Sequence, residues 1–491
     1  MPDTRRKAAA ASVLWALAAA VVSFALFSVA RESLVPYGCD FERARWRLTG
    51  DEPAYLLTAQ AIASGDGEDV SRVRAAGTHT NFQHKIVLGP TQWTYDDYVR
   101  RCRVKFLFDR RKAWGDGAQI QHGAPLMPLF ASPFALSPSQ PRWKILCAQG
   151  VFASAVVAAI VLLSGGIGRK GGAAASAAAT VAFFGSAPIV YYTAQIFPET
   201  LIGCFLALSL LLTRRDDAQS RAAGIVCLFL PLFGSSRIVG AVAAASVYHA
   251  VVAIRRRRIS DLALIALGAV SYFGYHLWRW GNFFPPNTDQ GSPITASLVP
   301  VGFLRYFFGN SVGLVFLCPV AWAGIVALAG LLRTPRVDPA VVPAALIAIV
   351  LPLSVGAFPA FRAGTCPAGR YQVATAFVLL VPVLLMLSRE GAKPAWRRRV
   401  VWLLSTLGPV SLALGVWLAA HPGWWFERYH PVFKHPALQP HYGCLPDFEG
   451  PRGRLAAVLA LWIAALVGWS LVPDICRAAK RCLKRKEASH G

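Results

Sequence analysis

The chain has 491 residues, 55% of them hydrophobic, and a mean hydropathy of +0.45, which excludes an ordinary soluble globular protein and points to a membrane as solvent. Fifty lysines and arginines against 25 acidic residues give a formal charge of +25. The basic residues fall in short clusters between apolar runs of about 15 to 23 residues, the pattern of cytoplasmic loops under the positive-inside rule, so membrane lipid is expected as a partner and nucleic acid is not.

The first apolar run, residues 8–30, follows Arg5, Arg6 and Lys7. It is too long for a signal-peptide core and has no small-residue cleavage site before Arg31, so it is expected to be a retained span with the basic N-terminus inside. Residues 31–144 then form a long polar first extracytoplasmic loop. It contains Thr49-Gly-Asp-Glu-Pro-Ala-Tyr-Leu-Leu57, a Gly/Asp-rich turn ending at Glu68, the pair Asp96-Asp97 and a proline-broken apolar piece at 125–136. The apolar run 54–62 predicts a helix with Pro53 in its first turn, which sets Asp51 and Glu52 at the positive end of the helix dipole. The apolar pieces of this loop are too short to span and are expected to lie as interfacial helices on the outer leaflet.

Further spans follow at 145–164, 172–190 and 199–213. The stretch 222–254 holds Arg237 near its middle and is assigned to two passes meeting outside at Gly234-Ser-Ser-Arg237. A single pass would put the arginine run 255–258 outside and invert every later loop against its charge. Spans at 262–278, 312–332, 341–358, 373–387, 401–420 and 455–472 complete the assignment. The expectation is an all-α polytopic membrane protein of about twelve transmembrane helices, both termini cytoplasmic. A single membrane domain covers 1–475, with a last extracytoplasmic loop at 421–454 and a basic cytoplasmic tail at 476–491.

Four of the ten cysteines, Cys39, Cys102, Cys366 and Cys444, fall in outer segments where disulfides are permitted, and the sequence leaves their pairing open. Cys476 and Cys482 lie in the tail without metal-ligand spacing, and the other four sit within spans as small hydrophobes.

Asp51 and Glu52 are the sharpest chemical signal. A carboxylate there can act as general base toward a hydroxyl, or the two can hold a divalent metal through oxygen. A charge pair that only stabilises a helix start accounts for the local sequence equally well.

Gly50-Asp-Glu-Pro-Ala-Tyr-Leu-Leu57 in a first outer loop resembles the acidic motif of the GT-C superfamily, polytopic glycosyltransferases that use polyprenyl-phosphate sugars. His122-Gly-Ala-Pro-Leu126, the Phe-Pro-Glu turn within 191–199 and Pro367-Ala-Gly-Arg-Tyr371 are similar in kind and order. Ala54 departs from the pattern, which often has His or another polar residue there. The resemblance implies a GT-C-like fold and transfer of a sugar from a polyprenyl-phosphate donor to an acceptor hydroxyl of a glycan, lipid or protein on the outer face, with inversion, in a bacterial inner membrane serving the cell envelope. It implies Asp51 as base and Glu52 as its partner at the acceptor or at a Mg²⁺ or Mn²⁺ ion.

Such a reaction needs positive groups at the departing phosphate. Arg370, beside Tyr371 at the outer end of a span, is the first candidate and Arg237 the second; snorkelling to lipid headgroups is the plain alternative for each. His122, Asp96, Asp97, Glu199 and Tyr192 complete the candidate substrate-binding set. The last outer loop, with Trp424, Trp425, His430, His435 and His441, reads as interfacial and lacks zinc-ligand spacing. The rival is a transporter or flippase, which the clustering of ionisable residues at span ends rather than mid-span argues against.

Overall fold

The structure is a computed structural model that describes residues 2–34, 52–75, 93–94, 119–120, 124–137, 141–164, 172–281, 283, 299–309, 313–356, 370–388, 393–420, 446 and 452–490. Helix α1 (Pro2–Leu34) opens the chain, followed by α2 (Glu52–Ala63) and the short α3 (Ser71–Ala75). A two-residue antiparallel pair, β1 (Trp93–Thr94) with β2 (Gln119–Ile120), precedes α4 (Leu126–Ala135) and α5 (Pro141–Leu163). Next come α6 (Gly172–Phe184), α7 (Ala187–Thr193), α8 (Glu199–Thr213) and α9 (Ala218–Phe229). Two 3-10 turns, Leu230–Phe233 and Ser236–Ile238, lead to α10 (Val239–Arg255) and α11 (Ile259–Trp280). The remaining helices are α12 (Val299–Phe308), α13 (Leu314–Leu317), α14 (Ala321–Leu332), α15 (Val341–Gly356), α16 (Gln372–Ser388), α17 (Pro394–Ala420) and α18 (Arg452–His490).

Among the described residues, five helices are long and apolar enough to cross a bilayer, or six if α6 and α7 are one bent span. The chain is therefore a helical, membrane-embedded protein. Other expected spans are shorter helices: α8 has 15 residues, α14 has 12, α15 has 16 and α16 has 17. A bilayer core asks for about 20.

The helix at the centre is α16, in which every residue from Gln372 to Leu387 is buried. It packs against α6, α8, α14 and α15. Helices this apolar gain nothing from leaving lipid for one another, so close approach is what holds them. At the α8–α16 crossing Gly203 lies directly against the Phe377 ring, which occupies the space a side chain at 203 would take.

Three expectations need correction. Residues 172–190 are not one straight span: α6 and α7 meet at 72°, because Ser186 is extended (φ −70°, ψ 149°) and a proline follows in the first turn of α7. Residues 312–332 are likewise divided, with Pro319 in the turn between α13 and α14. Helix α2 does not lie with an exposed face on a membrane surface. Tyr55 through Ala61 are all buried, closed over by α4 and α3. Helix α18 runs on through residue 476 to His490, so the basic tail is helical. By contrast, 222–254 does break at Gly234-Ser235, between the two 3-10 turns. Expectations for Cys39, Cys102, Cys366, Cys444 and the loop 421–454 fall outside the described residues, apart from residue 446.

The bend between α6 and α7 is seated on α17. A Cβ built on Gly415 runs into the Gly185 carbonyl oxygen, and one on Gly185 into the Leu412 side chain. Gly415→Ala should therefore force backbone apart and cost about 1–3 kcal/mol, the usual penalty of overpacking, read as a lowered unfolding temperature of the detergent-solubilised protein.

Candidate functional site

Five segments far apart in sequence converge on the turn between α7 and α8. Gln149 on α5 fixes that turn by donating its side-chain amide to two carbonyl oxygens, Tyr192 and Gln195, each at 3.0 Å. Thr193 and Thr200 hydroxyls meet across it at 3.2 Å. Fixed in this way, the turn presents the Ile196 N–H and the Phe197 ring to α2.

Glu52, at the first turn of α2, is fully buried. Its Oε1 accepts from the Ile196 N–H at 2.8 Å and lies 3.5 Å from Nη2 of Arg142, at the start of α5. One helical turn further along α2, the Tyr55 hydroxyl accepts from Arg370 Nη2 at 3.3 Å. Arg370 in turn donates from Nε to Glu199 Oε1, the first residue of α8, and its guanidinium lies 4.7 Å from the centre of the Phe197 ring and 5.6 Å from that of Tyr371. Arg237, on the second 3-10 turn, lies 4.4 Å from the centre of the same Tyr371 ring. The Tyr371 carbonyl is held by the Tyr306 hydroxyl at 2.6 Å, and that hydroxyl also meets Thr375 Oγ1 at 2.7 Å.

The result is two sets of contacts joined by one turn of α2: Arg142 with Glu52, and Tyr55 with Arg370, Tyr371 and Arg237, with Glu199 and Phe197 beside Arg370. Arg370 and Glu199 are 9% and 5% exposed, so neither charge is neutralised by water; each is tolerable because the other is there. The aromatic rings are placed where a weakly hydrated guanidinium gains from them.

Of the residues singled out by sequence, Glu52, Glu199, Arg237, Arg370 and Tyr371 are brought together. Tyr192 belongs to the same neighbourhood: its ring is buried 5.5 Å from Phe197 and its carbonyl accepts from Gln149. Asp51, Asp96, Asp97 and His122 lie outside the described residues. A Mg²⁺ or Mn²⁺ ion at Asp51 and Glu52 finds a poor fit at Glu52, whose Oε1 is already held by an amide and beside a guanidinium. No group of three or more metal-type ligands gathers among the described residues.

Sequence reasoning passed over Arg142, Tyr55 and Gln149. Arg142 had a signal, a cation next to Trp143 at the foot of an apolar run; Gln149 had one too, as a polar amide within an otherwise apolar span. Glu68 also acquires a role: it accepts from the Tyr275 hydroxyl at 2.5 Å and from Arg279 Nε at 3.1 Å, which fastens the loop after α2 to α11. Gly65 and Gly67 (φ 84° and 61°) make the tight turn that delivers it.

No family model, curated protein or solved structure matches the chain. Breaking the central pair has a defined expectation. Glu199→Ala leaves the Arg370 guanidinium buried without its carboxylate and should cost about 3–5 kcal/mol, whereas Glu199→Gln retains a hydrogen-bond acceptor and should cost distinctly less. Thermal unfolding of the purified protein in detergent compares the two.

Proposed function

We propose that the chain is a membrane glycosyltransferase of GT-C type, built on about twelve spans with both termini cytoplasmic in a bacterial inner membrane. It moves a sugar from a polyprenyl-phosphate donor to an acceptor hydroxyl on the outer face. The observation that supports this reading is the 3.3 Å contact between Tyr55 and Arg370. It joins the acidic motif at 51–57 to the Pro-Ala-Gly-Arg-Tyr motif ending at 371, two stretches that chemistry alone would pair: a base for the acceptor and cations for the leaving phosphate.

In the proposed reaction Asp51 takes the proton of the acceptor hydroxyl as its oxygen attacks the anomeric carbon. The bond from that carbon to the phosphate oxygen breaks, polyprenyl phosphate departs, and the configuration inverts. Arg370 and Arg237 offset the negative charge gathering on the departing phosphate. Glu52 is a positioning residue: with Ile196 and Arg142 it fixes the start of α2, and so the place of the neighbouring Asp51. His122, Asp96 and Asp97 remain candidates for contacts to the acceptor glycan, lipid or protein. Glu199 orients Arg370 rather than touching sugar.

One observation favours the transporter reading, namely the 72° break between α6 and α7, since discontinuous helices are common at transport sites. Its turn is closed by Gln149 and by Glu52 rather than left open to an ion. Purified protein given a radiolabelled polyprenyl-phosphate sugar and candidate acceptors decides between them. Sugar transfer by the wild type, lowered by about a hundredfold or more in Asp51→Asn, is expected for loss of a general base. Equal turnover by both removes Asp51 from its role, and vesicle uptake without sugar transfer replaces the enzyme with the transporter.

A further inference from the structure

Helix α8 runs from the Glu199–Arg370 pair at one end to a different polar region at the other. Beyond Thr213, the turn into α9, the end of α10 and the start of α11 wall a cavity of about 210 Å³. Five arginines line it: Arg214, Arg215, Arg221, Arg256 and Arg258.

Three of them are matched by acids. Arg221 Nε meets Asp261 at 2.9 Å, with both residues buried, and its guanidinium also donates to the Asp216 carbonyl. Arg214 lies 3.3 Å from Asp338, and Arg258 3.9 Å from the exposed Asp216. Arg215 and Arg256 form no salt bridge with any described carboxylate. Among the described residues, two guanidiniums thus line one small cavity without a salt bridge, Arg215 having Asp217 as an electrostatic neighbour. His249 lines the same cavity, and its Nε2 is a buried nitrogen with no hydrogen-bond partner.

The positive-inside rule accounts for arginines near a span end, but it asks only for charge. It does not ask that two guanidiniums without a salt bridge join three paired ones around one concavity, nor that a ring nitrogen be left unsatisfied against it. A tetrahedral oxyanion answers both: it supplies negative charge for Arg215 and Arg256 and an acceptor for an imidazole N–H.

We propose that this cavity binds a phosphate group, as a phosphate monoester or inorganic phosphate, clamped by Arg215 and Arg256 and seated against His249 and Arg221. The phosphate comes either from the headgroup of a phosphatidate-class lipid or from solution. The site is independent of the catalytic reading at the other end of α8.

The test uses the full-length protein in nanodiscs. Inorganic phosphate is titrated into phosphatidylcholine discs at fixed ionic strength and binding is read from the unfolding temperature; separately, native mass spectrometry counts phosphatidic acid retained from mixed discs. Three variants are compared with the wild type: Arg215→Gln with Arg256→Gln, the charge-matched pair Arg255→Gln with Arg257→Gln from the same basic run but outside the cavity, and His249→Leu. Affinity for phosphate or phosphatidic acid should fall about tenfold or more in the first and in the same direction in the third, and stay at wild-type level in the second. A response to inorganic phosphate identifies a soluble ligand, and retention of phosphatidic acid alone identifies a lipid. Absence of both in the wild type, or equal loss in the two double variants, overturns the proposal.

Discussion

A single buried cation organises this molecule's polar centre. Arg370 is nine-tenths removed from solvent, and taking a guanidinium out of water is tolerable only where the surroundings replace its hydration. Glu199 supplies charge, Tyr55 supplies a hydroxyl, and Phe197 and Tyr371 supply ring faces. Those four partners come from α2, the α7–α8 turn, α8 and the approach to α16, so satisfying one side chain fixes the mutual placement of four segments. The same requirement explains why Glu52 is coupled to the Ile196 amide: any freedom in the turn would move Phe197 and Glu199 with it.

The helical membrane class was legible from hydropathy, and so were the ends of several helices. Helix α8 starts at Glu199 and ends at Thr213, as the run of apolar residues between an acid and Arg214-Arg215 implies. The bend at Gly185-Ser186 was not legible, because the apolar character continues straight through it. The local break is made by the extended Ser186 and the proline after it, and the bend is seated on a neighbour's backbone, Gly415 against Gly185, a contact across more than two hundred residues that hydropathy does not encode. Burial of α2 escaped for a related reason. Twelve residues with an apolar character suit an interface and a protein interior alike, and only the presence of α4 above it decides.

The candidate site was half visible. Acids and arginines were noticed where they stood at the ends of apolar runs, which is how Glu52, Glu199, Arg237 and Arg370 were found. Their roles were not distinguishable from composition. Glu52 stood next to Asp51 as one member of a reactive pair, and the amide that its carboxylate accepts from and the Arg142 that it faces are contacts composition does not carry. Tyr192 stood for substrate contact, and the bond its backbone carbonyl accepts from Gln149 is one that no side-chain type announces. Tyr55 was hidden by being an ordinary aromatic in an apolar run; its importance lies in one hydroxyl whose partner is 315 residues away.

The length of α8 bears on how such a helix can sit in lipid. Fifteen residues at 1.5 Å each give about 22 Å between its acidic start and its arginine-lined end, against a hydrocarbon thickness of about 30 Å. Polar groups gathered at both ends of so short a helix are accommodated by local thinning of the bilayer or by neighbouring elements that carry polar surface inward, the ordinary answers to hydrophobic mismatch.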